Sequence, residues 1–257
     1  MLSRRSLIVA GTGARLLLAD PAPMIVTIVL PLLFGAFLLP SSRAQLQQSG
    51  IVNATGAEHV VPGLAVLFAF LGVSLVGTLF FREHAWGTWD RLRASSASTA
   101  DIFVGKLLPL YVCLLAQLAV VFTAGAVMYG YRVTGSLLAL AVVLALFVAV
   151  LVAFGAMLAA VFRTMDQAIV IGNVGGMAMA GLGGALAPAS TLPAWAQAAA
   201  HASPAYWTLD AIEDITLHRA GLADVTTALA VLAGFLVLFS VVALARFRAE
   251  ETKVGTT

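Results

Sequence analysis

The sequence predicts an all-α integral membrane protein with six transmembrane helices and both termini in the cytoplasm, on three observations. Of 257 residues, 61% are hydrophobic and only 10% are charged, against roughly a quarter charged in soluble domains. Six apolar runs, at 24–39, 62–81, 107–128, 137–162, 168–187 and 225–245, contain no Asp, Glu, Lys, Arg or His, and each approaches the ~20 residues needed to cross about 30 Å of hydrocarbon. Eleven of the fourteen Lys and Arg residues fall in the two tails, the 82–106 connection and the 163–167 turn, leaving Arg43, Arg132 and Arg219 for the alternate loops. The positive-inside rule places the richer set in the cytoplasm, and an even number of spans agrees. No polar stretch is long enough to fold separately, so 1–257 is read as one membrane domain: a cytoplasmic or interfacial segment 1–23, a bundle 24–245 and a cytoplasmic tail 246–257.

The elements follow in order. Ser3-Arg4-Arg5-Ser6-Leu7 has the look of a twin-arginine export signal, but Gly11, Gly13 and Arg15 interrupt the apolar run behind it and no clear small-residue cleavage site follows. A retained interfacial segment is the better reading. Asp20-Pro21-Ala22-Pro23 breaks any helix, because each proline removes a donor and biases its predecessor away from the helical region. The chain turns there into the first span.

Between the second and third spans lies the longest cytoplasmic connection, from Phe81 to Lys106. Trp86 and Trp89 are three apart and share a helical face, suited to anchoring at headgroup level or to docking a partner. Glu83, Asp90, Arg91 and Arg93 mix signs closely, which suits a structured protein surface better than acidic lipid. Gly87 interrupts a short helix-like stretch, and Ser98-Thr99-Ala100-Asp101 fits a capping box opening the third helix. Cys113, the one cysteine, lies within an apolar run and reads as core filler.

The fifth span is rich in glycine. Gly172 and Gly176 have small-xxx-small spacing with Gly175 beside them, so this helix can pack closely within the bundle, or form a mobile helix or a dimer seam. Gln117 and Asn173 are polar groups within spans, read as hydrogen-bonded packing residues. Before the last span, Thr191-Leu192-Pro193 and Ser203-Pro204 each look like a cap followed by an early helical proline, so two short external helices are expected. Asp210, Glu213 and Asp214 share a helical face, but no histidine at ligand spacing completes a metal site, and a solvated face is the simpler reading.

At this point the sequence resembles the ABC-2 family of exporter permeases. The family pattern in the 82–106 connection is an acidic residue, Gly-Thr, Arg-Leu, then Gly-Lys opening the next span; Glu83, Gly87-Thr88, Arg91-Leu92 and Gly105-Lys106 supply it in order. Asp20-Pro21, Pro31, Leu192-Pro193 and Pro204 extend the likeness over nearly the whole chain, with Ser96 a departure where many members carry proline. The resemblance implies that this connection is a coupling helix resting on a separate ATP-hydrolysing subunit, through Glu83, Gly87, Thr88, Arg91 and Leu92. Arg163 and Asp166, in the 163–167 turn, would make a minor second contact. It also implies that the external helices are re-entrant in the outer leaflet, where Trp195, Pro204, Tyr206 and Trp207 fit the aromatic belt. The implied partners are an ABC ATPase subunit, a second permease copy or a homologous permease, and membrane lipid, with no nucleic acid. ATP and Mg belong to the ATPase, and no cofactor or metal to this chain.

The residues agree with a transport subunit that is not itself an enzyme. No G-x-x-x-x-G-K-[ST] phosphate loop is present. Spans free of ionisable groups argue against an ion-coupled secondary carrier. His59, His84, His201 and His218 all fall outside the six runs, so no haem ligand pair arises. A non-transporting membrane anchor or assembly factor is the alternative that composition leaves open. For a transporter, an apolar pathway suits an amphiphilic drug or lipid-like cargo, exported from the cytoplasm or inner leaflet.

Overall fold

The computed structural model describes residues 10–15, 19–48, 50–51, 54–85 and 99–246, and among them every regular element is helical. Among the described residues the architecture is carried by α1 (Ala22–Gln48), α2 (Ala57–Leu71), α3 (Val73–Ala85), α4 (Thr99–Tyr129), α5 (Leu137–Val161), α6 (Met165–Leu182), α7 (Ala194–Ala200), α8 (Pro204–Leu217) and α9 (Thr226–Arg246). A 3₁₀ turn at Ala189–Thr191 precedes α7.

At the centre lie α2, α3 and α5. The second helix packs against α1, α4, α6 and α8, while α5 packs on α3, α4, α8 and most extensively on α9. Phe70, Phe81, Phe147, Leu110, Leu151, Ile212 and Leu232 are buried there. Small residues permit the close crossings: a Cβ on Gly155 would lie 2.6 Å from the Val76 side chain and 3.0 Å from the Val73 carbonyl. The outer helices turn Ile25, Val29, Leu33 and Phe37 of α1, and Val237, Val241 and Leu244 of α9, outward. Such an apolar exterior is stable in lipid.

Among the described residues, five helical stretches are long and apolar enough to cross a membrane: Ala22–Gln48, Ala57–Val76, Val104–Tyr129, Leu137–Val161 and Thr226–Arg246. The expected fifth span is not among them. Its helix, α6, ends at Leu182 instead of reaching residue 187, and Asp166, Gln167, Asn173 and four glycines dilute its apolar content. The second expected span, 62–81, is met by the stretch Ala57–Val76, interrupted for one residue at Gly72 between α2 and α3; the amide of Gly72 closes back on Ala69 and Ser74 Oγ donates to the Leu71 carbonyl. Helix α1 runs on past its apolar stretch, with Ser42 Oγ donating to the Gly56 carbonyl. Gly56 has φ +92, and a Cβ there would sit 2.5 Å from the Leu39 carbonyl, so this corner admits only glycine.

Proline chemistry explains one polar residue. Pro31 lacks the N–H that would bond the Thr27 carbonyl in α1. Gln117 Nε2 of α4 lies 3.4 Å from that oxygen, in the buried α1–α4 seam. Cys113 Sγ packs 2.8 Å from Met24 Sδ in the same seam.

Candidate functional site

The expected coupling surface lies mostly outside the described residues: Gly87, Thr88, Arg91 and Leu92, with Trp86 and Trp89, fall in 86–98, and Glu83 is placed by its backbone in α3. What is described is the mount on either side. Lys106, buried in α4, donates from Nζ to the Leu79 carbonyl of α3 at 3.2 Å. A charged donor on a backbone carbonyl is a strong hydrogen bond, so the helices on either side of the connection are tied together. Sequence reasoning counted Lys106 as a cytoplasmic charge and missed this role, for which burial beside Gly105 at the mouth of a span is the available signal.

The 163–167 turn ends on the helix itself. Thr164 caps α6 by accepting from the Gln167 amide at 3.4 Å, which puts Asp166 in the first turn, where the helix dipole favours a carboxylate. Both Arg163 and Asp166 are exposed. Along α6, a Cβ on Gly172 would meet Leu158 at 3.1 Å and one on Gly176 would meet Phe70 at 2.9 Å, whereas Gly175 faces open space within 4 Å. Val170, Val174 and Met177 share that outward side. Asn173 departs from expectation: its buried Oδ1 has no hydrogen-bond partner among the described residues.

On the opposite face of the bundle, α7 and α8 form the two short helices expected. Ser203 caps α8, accepting from the Ala205 amide at 3.1 Å and donating to the Met179 carbonyl at 2.7 Å, with Pro204 in the first turn. The first cap differs: Pro193 directly precedes α7, and Thr191 instead closes the 3₁₀ turn, its hydroxyl donating to the Pro188 carbonyl. The aromatic residues divide. Trp195 is 71% exposed; the Tyr206 ring lies tilted against His201 and that of Trp207 edge-on to it, and Trp207 Nε1 donates to the His201 carbonyl at 3.0 Å.

Helix α8 is clamped into the bundle. Leu209, Ile212 and Ile215 are buried, Tyr131 Oη and Thr216 Oγ1 are 2.8 Å apart, Thr134 Oγ1 donates to the Thr216 carbonyl, and the Gly135 amide donates to that of Ile215. Burial pushes the Tyr131 phenol up to about 12, so it stays protonated.

The acidic face meets α2, which the sequence did not foretell. Glu58 and His59 of α2 and Tyr206, Asp210 and Glu213 of α8 line a small cavity of about 50 Å³. Burial first, then the neighbouring acids, push the Asp210 and Glu213 carboxyls up from their ordinary values. The cavity has room for a few waters but not for a ligand of ordinary size, and no group of three or more His, Cys, Asp or Glu able to hold a metal occurs among the described residues. His218 is 3.1 Å from Asp214, one helical turn away.

The profile of the ABC-2 type transporter family matches residues 5–217. A probable multidrug ABC transporter permease, YbhR, of Escherichia coli strain K12 is 30% identical over 164 residues, covering 63% of this chain and 45% of that protein. The linearmycin resistance permease protein LnrN of Bacillus subtilis strain 168 is 26% identical over 183 residues, 71% of this chain and 47% of its own length. The aligned part thus spans under half of each of these curated relatives.

Proposed function

The chain belongs to the ABC-2 type transporter family, a multi-pass protein of the cell membrane, and from this we propose that it is the membrane-spanning subunit of an ATP-driven exporter of amphiphilic molecules. The observation that carries the reading is a family match over residues 5–217, which takes in the first five expected spans, the connection at 82–106 and the two short helices α7 and α8. Supporting it on cargo are the names of the two relatives, a multidrug permease and a linearmycin resistance permease.

In this reading, residues 1–257 form one domain, and α6 is a sixth crossing. Its 18 residues rise about 27 Å, near the ~30 Å of a hydrocarbon core. A separate ATPase holds ATP and Mg and docks on Glu83, Gly87, Thr88, Arg91 and Leu92, with Arg163 and Asp166 as a second contact. A second permease, identical or homologous, seats on the outward face of α6 at Val170, Val174, Gly175 and Met177. Closure of the ATPases pushes the coupling segment; the Lys106 bond carries the push into α3 and α4 and changes the packing between permeases. Near the outer surface, Trp195, Pro204, Tyr206 and Trp207 seat the short helices in the outer leaflet.

The test is charge reversal at Arg91 in cells expressing the permease with its ATPase. Arg91→Glu is expected to leave insertion and ATP hydrolysis intact while resistance to amphiphilic antibiotics falls to the level of cells lacking the permease. Undiminished resistance would remove Arg91 from the coupling contact.

A further inference from the structure

A second hollow lies far from the small acidic cavity, at the other end of the bundle. Where α4, α5 and α9 meet, a cleft of about 380 Å³ opens sideways, lined by Leu107, Tyr111, Val152, Leu236, Ser240 and Leu244 among others. Its origin is a set of small residues: Ala149, Ala153 and Ala156 on α5 and Ala243 on α9 leave the floor low. The Tyr111 hydroxyl is turned away to donate to the Ala145 carbonyl at 3.1 Å, so the lining is apolar apart from Ser240. A cleft of this size and polarity is in the range of small-molecule sites.

Position decides what fills it. From Leu236 to Leu244 the α9 wall rises about 12 Å, close to the ~15 Å of one leaflet's hydrocarbon. All three walls come from the helix ends next to the 82–106 connection, the 163–167 turn and the C-terminal tail, the side read as cytoplasmic. The lining includes the exposed Val104 and Leu244, so the cleft opens onto the apolar exterior of the bundle, where hydrocarbon rather than water is the solvent. One turn beyond Ala243 on the same stripe, α9 ends on exposed Arg246. An apolar slot one leaflet deep, with a cation at its mouth, matches a chain with an anionic head.

We propose that this cleft is a binding site for an anionic phospholipid of the cytoplasmic leaflet, its acyl chain lying along Ala149, Ala153 and Ser240 and its phosphate meeting Arg246. The assignment of leaflet rests on the topology proposed above; the transport reading itself is not needed.

The test reconstitutes the full chain in vesicles containing phosphatidylglycerol or phosphatidylcholine with the same diazirine-bearing acyl chain, and maps cross-links by peptide mass spectrometry. Labelling is expected to concentrate on 107–111, 149–156 and 236–244 over the equally lipid-facing Leu33 and Phe37 of α1. It should favour phosphatidylglycerol, and fall when Ala153→Leu fills the floor. Arg246→Gln should reduce the preference about fivefold, the effect of one basic residue near the surface, without abolishing acyl labelling. If Ala153→Leu does not fold, competition by unlabelled phosphatidylglycerol on the unaltered protein replaces it: selective loss of cleft labelling supports the site, and equal loss everywhere overturns it. Uniform labelling of cleft and α1 would also overturn it, since the cleft would then hold lipid no better than the open surface of α1; labelling of the cleft below that of α1 would overturn it too, and would mean that a chain segment or second copy covers the cleft. Failure to capture an ATPase would sink the transporter reading and leave this result standing.

Discussion

Gln117 shows how a membrane helix tolerates a proline. In hydrocarbon an unpaired carbonyl finds no water, and Pro31 creates one at Thr27, which the Gln117 side chain answers from a neighbouring helix. Gln117→Leu should therefore destabilise the protein by about 1–3 kcal/mol, measured by unfolding in detergent. Pro31→Ala restores the missing N–H, so in that background the same substitution should cost much less; an equal cost in both would show that Gln117 acts by packing alone. Glu213 carries a second residue-scale expectation. Its carboxyl sits above the ordinary value because burial, and then Asp210, disfavour its charge. The folded state thus holds the proton more tightly than the unfolded chain, and stability declines as pH rises from the ordinary glutamate value through the raised one. Glu213→Gln should remove that decline, raising the melting temperature at neutral pH and converging with the unaltered protein in acid. A parallel pH dependence in both proteins would contradict the assignment.

For single elements, α6 separates two readings of its glycines. Gly176→Ala places a methyl 2.9 Å from the Phe70 ring and should cost about 1–3 kcal/mol by overpacking. Gly175→Ala meets open space and should be neutral or stabilising by up to about 1 kcal/mol through helix propensity. Comparing the two in unfolding experiments tests which face is inward, and a like cost for both would refute the packing described. The same helix shows what the sequence discloses. Apolar runs free of charge located all five of the helical stretches long and apolar enough to cross a membrane among the described residues, because exclusion of ionisable groups is a one-dimensional signal. The Ser203 cap was legible for the same reason, being local. The break at Gly72 was not: the residue keeps right-handed helical angles, and the turn follows from packing around it. Nor was the cavity that His59 shares with Asp210 and Glu213, since α2 and α8 are brought together only by the bundle. Lys106 hid its bond to Leu79 behind a charge count that fitted the topology equally well.

Over the whole molecule, the described residues form a bundle with a buried α2–α3–α5 centre, an apolar exterior and a clamped outer pair of helices. Nothing in the sequence resembles a phosphate loop; in the proposed reading the energy for export comes from a partner, and the ends of α3 and α4 are its point of delivery. The most direct measurement is a gentle detergent pull-down of this chain from its native membranes, with mass spectrometry of proteins recovered in comparable amount. The expected result is a protein carrying a phosphate loop, together with one kind of permease if the pair is identical or two if it is mixed. Repeated recovery of the intact permease under stabilising conditions with no such ATPase would contradict its role as the membrane subunit of an ATP-driven exporter.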